Sequence, residues 1–137
     1  MRCVLKGIDH VALAVSDLDE SLARLSEVWG LDETTRERVE EQGVEEAMLA
    51  LGDCCLQLVA PAGEDSRLMR FIERRGEGLH HVAFRVDDLD ATLKHLKDKG
   101  VELIDESPRA GGGGSLIAFV HPRSQNGVLI ELIQRPR

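Results

Sequence analysis

The chain has 137 residues, and its 25 acidic residues outnumber 17 Lys plus Arg, for a formal net charge of -8. That length suits one domain with a real core, and the acidic balance argues against nucleic acid or an anionic membrane as a partner. Aromatic residues are only 3% and Tyr is absent, so base-stacking platforms are not expected.

No apolar run is long enough to span a membrane, and the start, MRCVLKGIDH, lacks the apolar stretch of a signal peptide. A cytoplasmic protein is the expectation. Cys3, Cys54 and Cys55 form an odd set with an adjacent pair. That spacing suits neither a disulfide framework nor a zinc ribbon, so all three are expected to be reduced core or strand residues.

In chain order, residues 8–15 alternate as a strand, with Val11, Leu13 and Val15 on one face and His10, Ala12 and Ala14 on the other. Asp17 with Glu20 reads as a capping box, and Leu18, Leu22 and Leu25 make the apolar stripe of a helix that Gly30 ends. Strands are expected near 44–50 and 54–60. Ser66 caps a short helix carrying Leu68, Phe71 and Ile72, which Gly76 stops. A strand then follows at 79–86 and a helix from Asp88 to Lys99, with Gly100 as its stop. Further strands are expected near 101–104, 115–120 and 128–133. AGGGG at 110–114 reads as a turn or loop, because it lacks the strand-to-helix setting of a nucleotide-binding glycine motif.

An internal repeat organises these elements. IDHVALAVSDLDESLARL from Ile8 resembles LHHVAFRVDDLDATLKHL from Leu79, and nine of the sixteen positions from His10 to Leu25 are identical at an offset of 71. LQLVAP around Gln57 resembles LIELIQ around Glu131. The simplest reading is a single α+β domain over 1–137. Module one covers about 7–61, a connecting helix about 66–76, and module two about 78–135, each module being βαβββ.

The repeat sets His10 and His81 at equivalent places in the first strand of each module, and Gln57 and Glu131 in the last strands. Two imidazoles, an amide oxygen and a carboxylate form a mixed N/O set that suits cobalt, manganese, iron or zinc. The small Ala12, Ala14 and Ala83 share the faces of these histidines and are expected to leave a hollow beside them. A lone strand histidine is usually structural; a repeat-related pair with matched polar partners points to metal. His80 faces the other way and is expected to pack or hydrogen-bond. His95 is expected to be solvated, and His121, before Pro122, to shape a loop. In GVEEAMLAL, Glu46 alternates with Val44, Met48 and Ala50, so it is a carboxylate on an otherwise apolar face, and an exposed edge position is an equal alternative.

The order IDHVA, EQGVEEAML, LQLVAP, GEDS, GLHHVAFRVDD, HPRS, NGVLIEL spans nearly the whole chain. In that order and spacing the sequence resembles the methylmalonyl-CoA epimerases of the vicinal oxygen chelate superfamily. The resemblance implies that the two tandem βαβββ modules form a curved mixed sheet around a metal site. It implies His10, Gln57, His81 and Glu131 as metal ligands, and Glu46 and Glu131 as the catalytic pair. It also implies a divalent ion, Co²⁺ first and Mn²⁺ or Zn²⁺ next, methylmalonyl-CoA as substrate, and a homodimer. Arg123 stands where a lysine is common after HP, and Leu116 where many relatives carry a basic residue. No phosphate-binding residue is therefore assigned.

The implied reaction interconverts the (R) and (S) forms of the thioester by removing a proton on one face and returning one on the other. Two other readings share the fold. One is another metal-dependent enzyme, such as a lactoylglutathione lyase or a ring-cleaving oxygenase. The neutral Gln57 disfavours the lyase, because such enzymes commonly carry a carboxylate there. The other is a non-catalytic small-molecule-binding resistance protein, which needs no metal ligands.

Overall fold

Two helices begin on the same local device. Asp17 accepts from the Glu20 amide, and Asp88 accepts from the Ala91 amide, each at 3.0 Å. Both aspartates are extended N-caps, so their carboxylates satisfy amides that the first helical turn leaves unpaired. The helices they start are α1 (Leu18–Trp29) and α3 (Leu89–Asp98). Gly30 takes the left-handed conformation that ends α1 (φ 67°).

The structure, a computed structural model, describes residues 2–63 and 66–137. Glu64 and Asp65 of the GEDS segment lie outside the described residues. Around α1 the chain forms β1 (Gly7–Ala14), β2 (Thr35–Val39), β3 (Val44–Leu51) and β4 (Cys54–Pro61). A short helix, α2 (Arg67–Arg75), is capped by Ser66, whose hydroxyl accepts from the Met69 amide at 3.0 Å. Around α3 lie β5 (Gly78–Arg85), β6 (Arg109–Ala110), β7 (Leu116–Val120) and β8 (Ile130–Gln134). The βαβββ pattern of each half is therefore present.

The chain divides into two compact units, Val11–His80 and Met1–His10 with His81–Arg137. The boundary falls inside β1, after His10, and not between the sequence modules. The first ten residues join the second half for local reasons. The Lys6 amide donates to the Arg85 carbonyl at 2.8 Å, and Leu5 packs against the cluster around Leu89 and Leu132.

In the unit Val11–His80 the strand order is β2-β3-β4-β1. One face packs under α1, where Leu49 and Leu58 meet Leu18 and Leu22. Each such buried leucine contributes roughly 2 kcal/mol of apolar transfer. The other face carries Ala14, Val39, Val44 and Val59, with Leu68, Phe71 and Ile72 of α2 packed on it. The hollow expected beside Ala14 is thus filled. A methyl group at position 14 lets α2 come down onto the strand, so the small residue serves packing there. β2 is an edge strand with four of its five residues exposed, and its charges, Arg36, Glu37 and Arg38, suit an edge that must not pair further.

In the other unit the order is β1-β5-β8-β7-β6, with β5 and β8 parallel and β7 antiparallel to β8. The strand expected near 101–104 is not formed as one. Leu103 makes a single bridge to Val120, and the amides of Ile104 and Asp105 both turn to the Phe119 carbonyl. Two donors on one acceptor bend the chain away from a ladder. Pairing resumes at Arg109–Ala110 against Ile117 and Leu116. No helix is long and apolar enough to cross a membrane among the described residues. Cys3, Cys54 and Cys55 are free thiols; Cys54 and Cys55 lie on β4 as expected, but Cys3 is exposed and outside any strand.

Candidate metal centre

Three neighbouring strands of the unit that ends the chain each contribute one donor. His10 stands on β1, His81 on β5 and Glu131 on β8. His10 Nε2 lies 3.2 Å from His81 Nε2 and 3.2 Å from Glu131 Oε2, and His81 Nε2 lies 3.7 Å from that same oxygen. All three residues are buried, with exposures of 1%, 4% and 5%. Buried polar groups persist only where something satisfies them, and here the three side chains lie close enough to satisfy one another or a shared cation.

The donor set fits a divalent cation. Separations of 3.2–3.7 Å match the edges of a coordination shell with bonds of about 2.1 Å. Imidazole and carboxylate donors suit zinc, cobalt, manganese and iron without selecting among them. His10, His81 and Glu131 can therefore hold a divalent metal ion.

The surroundings orient these donors. Along the register, Ala83 sits beside Glu131 and Phe119 faces Glu131 from β7. The Phe119 ring stands edge-on to His81, with centroids 5.5 Å apart. His10 Nδ1 lies 2.6 Å from Asp9 Oδ2. Asp9 is itself buried and accepts from Arg135 Nε at 3.2 Å and Nη2 at 2.7 Å.

These contacts set the protonation states. Burial pushes the His10 pKa down, but hydrogen bonds to Asp9 and Glu131, with their charges, outweigh it and raise it to about 9. Burial pushes Glu131 up, yet the His81 charge and the His10 hydrogen bond and charge hold it below the usual carboxylate range. Asp9 is likewise held far below that range, burial being outweighed by its hydrogen bonds and charges with His10 and Arg135. His10 on one side and Glu131 and Asp9 on the other thus stabilise one another's charged forms.

The remaining expected site residues lie in the unit Val11–His80. Gln57 on β4 is buried and its Nε2 donates to Glu46 Oε2 on β3 at 3.1 Å. Gln57 faces Met48 across the ladder and Glu46 faces Val59, so the two side chains are diagonal neighbours on one sheet face. Glu46 is half-buried on that face, not an exposed edge residue.

Two expectations for other histidines hold. His80 packs edge-on to Phe71, with centroids 4.7 Å apart. His121 shapes the loop after β7, its Nδ1 accepting from the Arg123 amide at 3.0 Å. His95, expected in solvent, is half-buried on α3.

Sequence reasoning missed Asp9 and Arg135. One signal was available. At the offset of 71 the repeat pairs Asp9 with His80, so the symmetry breaks immediately before the first metal-type histidine.

Residues 9–119 match the Glyoxalase/Bleomycin resistance protein/Dioxygenase superfamily. The chain belongs to that superfamily. A Bacillus subtilis protein, YqjC, is 41% identical over 95% of this chain and 93% of its own. The crystal structure of methylmalonyl-CoA epimerase from Mycobacterium tuberculosis is similar, with a TM-score of 0.94, 37% identity, and coverage of 100% of this chain and 93% of that one. A Streptomyces coelicolor methylmalonyl-CoA epimerase in complex with 2-nitronate-propionyl-CoA gives a TM-score of 0.90 and 40% identity, covering 96% of this chain and 95% of its own. At such identity and coverage the superfamily fold, α+β with paired βαβββ halves, is that of this chain.

Proposed function

We propose that this chain is a metal-dependent methylmalonyl-CoA epimerase, an isomerase that inverts the carbon between the thioester and the carboxylate. The observation that carries the reading is the buried convergence of His10, His81 and Glu131, in a chain whose relatives at 37% and 40% identity are epimerases. One of those relatives holds a propionyl-CoA nitronate. A planar, negatively charged nitronate is the shape and charge that such a reaction passes through.

A bound divalent cation supplies a Lewis acid that stabilises negative charge developing on the substrate's thioester oxygen. The protein's residues do the rest. His10, His81 and Glu131 hold the ion, with Gln57 proposed as a fourth, neutral ligand. Glu131 is then the only anionic ligand of the set. The site keeps a net positive charge, which favours a substrate carrying a carboxylate and a developing second negative charge.

Inversion needs an acid/base group on each face of the reacting carbon. Glu46 is proposed for one face and Glu131 for the other. The Gln57 amide supports Glu46 in this role, because its N–H holds one carboxylate oxygen and leaves the other free to take a proton. The superfamily resemblance further supports Co²⁺ as the ion and a homodimer as the assembly.

Solvent-deuterium exchange tests the reading. Purified protein loaded with Co²⁺ is mixed with (R)- or (S)-methylmalonyl-CoA in D2O. Deuterium should enter the α-position as the stereoisomers equilibrate. No exchange with Co²⁺, Mn²⁺ or Zn²⁺ would sink the proposal.

A further inference from the structure

Behind the three ligand-type residues lies a second cluster drawn from the same part of the chain. His10 is preceded by Asp9 on β1. Four residues beyond His81 on β5 stands Arg85, and four residues beyond Glu131, just past β8, stands Arg135. The two guanidinium groups meet at the Asp9 carboxylate. Arg135 grips Asp9 with two hydrogen bonds, 3.2 Å to Oδ1 and 2.7 Å to Oδ2, and Arg85 Nε lies 3.6 Å from Oδ1. Asp9 Oδ2 also meets His10 Nδ1 at 2.6 Å.

A two-point guanidinium grip fixes the plane of the carboxylate as well as its position. A fixed carboxylate at Nδ1 fixes the imidazole ring beyond it. It also decides which nitrogen carries the proton, because a carboxylate can only accept. The Nδ1 proton is thereby committed to Asp9, and the Nε2 lone pair is committed to the point shared with His81 and Glu131. Arg135 balances the charge of Asp9 locally. The carboxylate therefore orients His10 without adding net negative charge to the centre.

We propose that Asp9, clamped by Arg135, is a positioning residue for the metal centre, holding His10 in the tautomer and orientation that ligate a divalent cation through Nε2. This inference rests on the metal-binding part of the proposed function and is independent of which reaction follows.

The test is metal affinity, measured for Co²⁺ by competition with a chromogenic chelator and read alongside the visible Co²⁺ absorption spectrum. The wild type is compared with Asp9→Asn, Asp9→Ala, Arg135→Lys and Arg135→Ala. Losing the outer partner of a ligating histidine weakens binding by about 10–100-fold, and Asp9→Ala should fall in that range with an altered Co²⁺ spectrum. Asp9→Asn keeps an acceptor but loses the charge, and should weaken binding by several-fold or more. Arg135→Ala should weaken it too, with Arg135→Lys recovering part of the loss.

A purely structural role predicts a lower melting temperature of the metal-free protein with an unchanged Co²⁺ affinity. If Asp9→Ala does not fold, Asp9→Asn decides alone. Affinity and spectrum within twofold of wild type in the folded Asp9 variants would overturn the proposal. A wild type that binds no Co²⁺ would instead overturn the metal reading itself.

Discussion

The Gln57 amide donates a 3.1 Å hydrogen bond from Nε2 to Oε2 of Glu46, tying two residues on adjacent strands. Eleven positions separate them in the chain, and the β3–β4 hairpin brings them together. The pairing makes a neutral residue the neighbour of a carboxylate. Gln57→Glu replaces it with a second carboxylate at hydrogen-bond distance. Two such groups cannot both ionise easily, so one pKa must rise. The expected outcome is slower α-proton exchange at pH 7 that recovers as pH rises toward 9. A deuterium-exchange profile from pH 6 to 9 checks it, and an unshifted profile contradicts it.

Glu46→Gln tests the proposed proton-carrier role apart from metal binding. Removing a general acid or base typically costs about 10²–10⁴ in rate. Exchange from one stereoisomer should fall within that range, while Co²⁺ affinity stays within twofold of wild type. Single-turnover exchange from each stereoisomer, with chelator competition in parallel, provides the check. A parallel loss of metal would make Glu46 a ligand and not a proton carrier.

The His10 pKa gives the stability of the metal-free protein a definite slope with pH. It is raised from 6.5 to about 9 by its acidic partners, Asp9 and Glu131. A raised histidine pKa contributes stability that is fully present below the unfolded value and is lost as pH rises through the folded one. The melting temperature in EDTA should therefore fall between pH 6.5 and 9. Asp9 and Glu131 are shifted downward, so their contribution is present above the ordinary carboxylate range and is lost on acidification below it. Saturating metal cancels the alkaline slope. The ion must displace the His10 proton, so affinity should rise about tenfold per pH unit up to pH 9. Melting curves at pH 5.5, 7 and 9, with EDTA and with saturating Co²⁺, test the fall without metal and its loss with metal. A flat EDTA series would contradict the ion-pair cluster.

The two aspartate caps should be nearly interchangeable in value. Asp17→Ala and Asp88→Ala each remove one carboxylate-to-amide bond at a helix start. Each should cost about 1 kcal/mol, read from urea denaturation. Metal affinity should be unaffected, because neither residue touches the centre.

Gly111 is required for space. A Cβ there would lie 2.6 Å from the Ser115 hydroxyl oxygen and 2.7 Å from a methyl of Ile117. The turn joining β6 to β7 folds back on itself at this point, with the Gly111 amide donating to the Ser115 carbonyl at 3.0 Å. Gly111→Ala should destabilise the protein by about 1–3 kcal/mol through overpacking. Urea denaturation is again the measurement.

The helices and their ends could be read locally, because a cap needs only residues three apart. Asp17 with Glu20 is such a case, and the helix start near Asp88 is another. The strands near 44, 54, 79 and 116 were legible from alternation. The stretch at 101–104 was not, because Val101 and Leu103 pack on the core while the Ile104 and Asp105 amides share the Phe119 carbonyl in place of a ladder. β2 escaped notice because an edge strand needs no apolar period, and its residues are charged.

What the sequence alone determined was the repeat, and with it the pairing of His10 with His81 and of Gln57 with Glu131. That pairing raised metal binding as an expectation, since imidazole, amide and carboxylate oxygens can all serve as ligands, and the structure brings His10, His81 and Glu131 together. Only tertiary structure decided which atoms converge. His10 and Glu131 are 121 positions apart, and their 3.2 Å approach follows from strand order, with β5 lying between their strands. The same is true of Asp9 and Arg135, 126 positions apart and joined at 2.7 Å. A side chain's type is written in one position. The partner that orients it depends on register and burial, which arise only when distant strands pair.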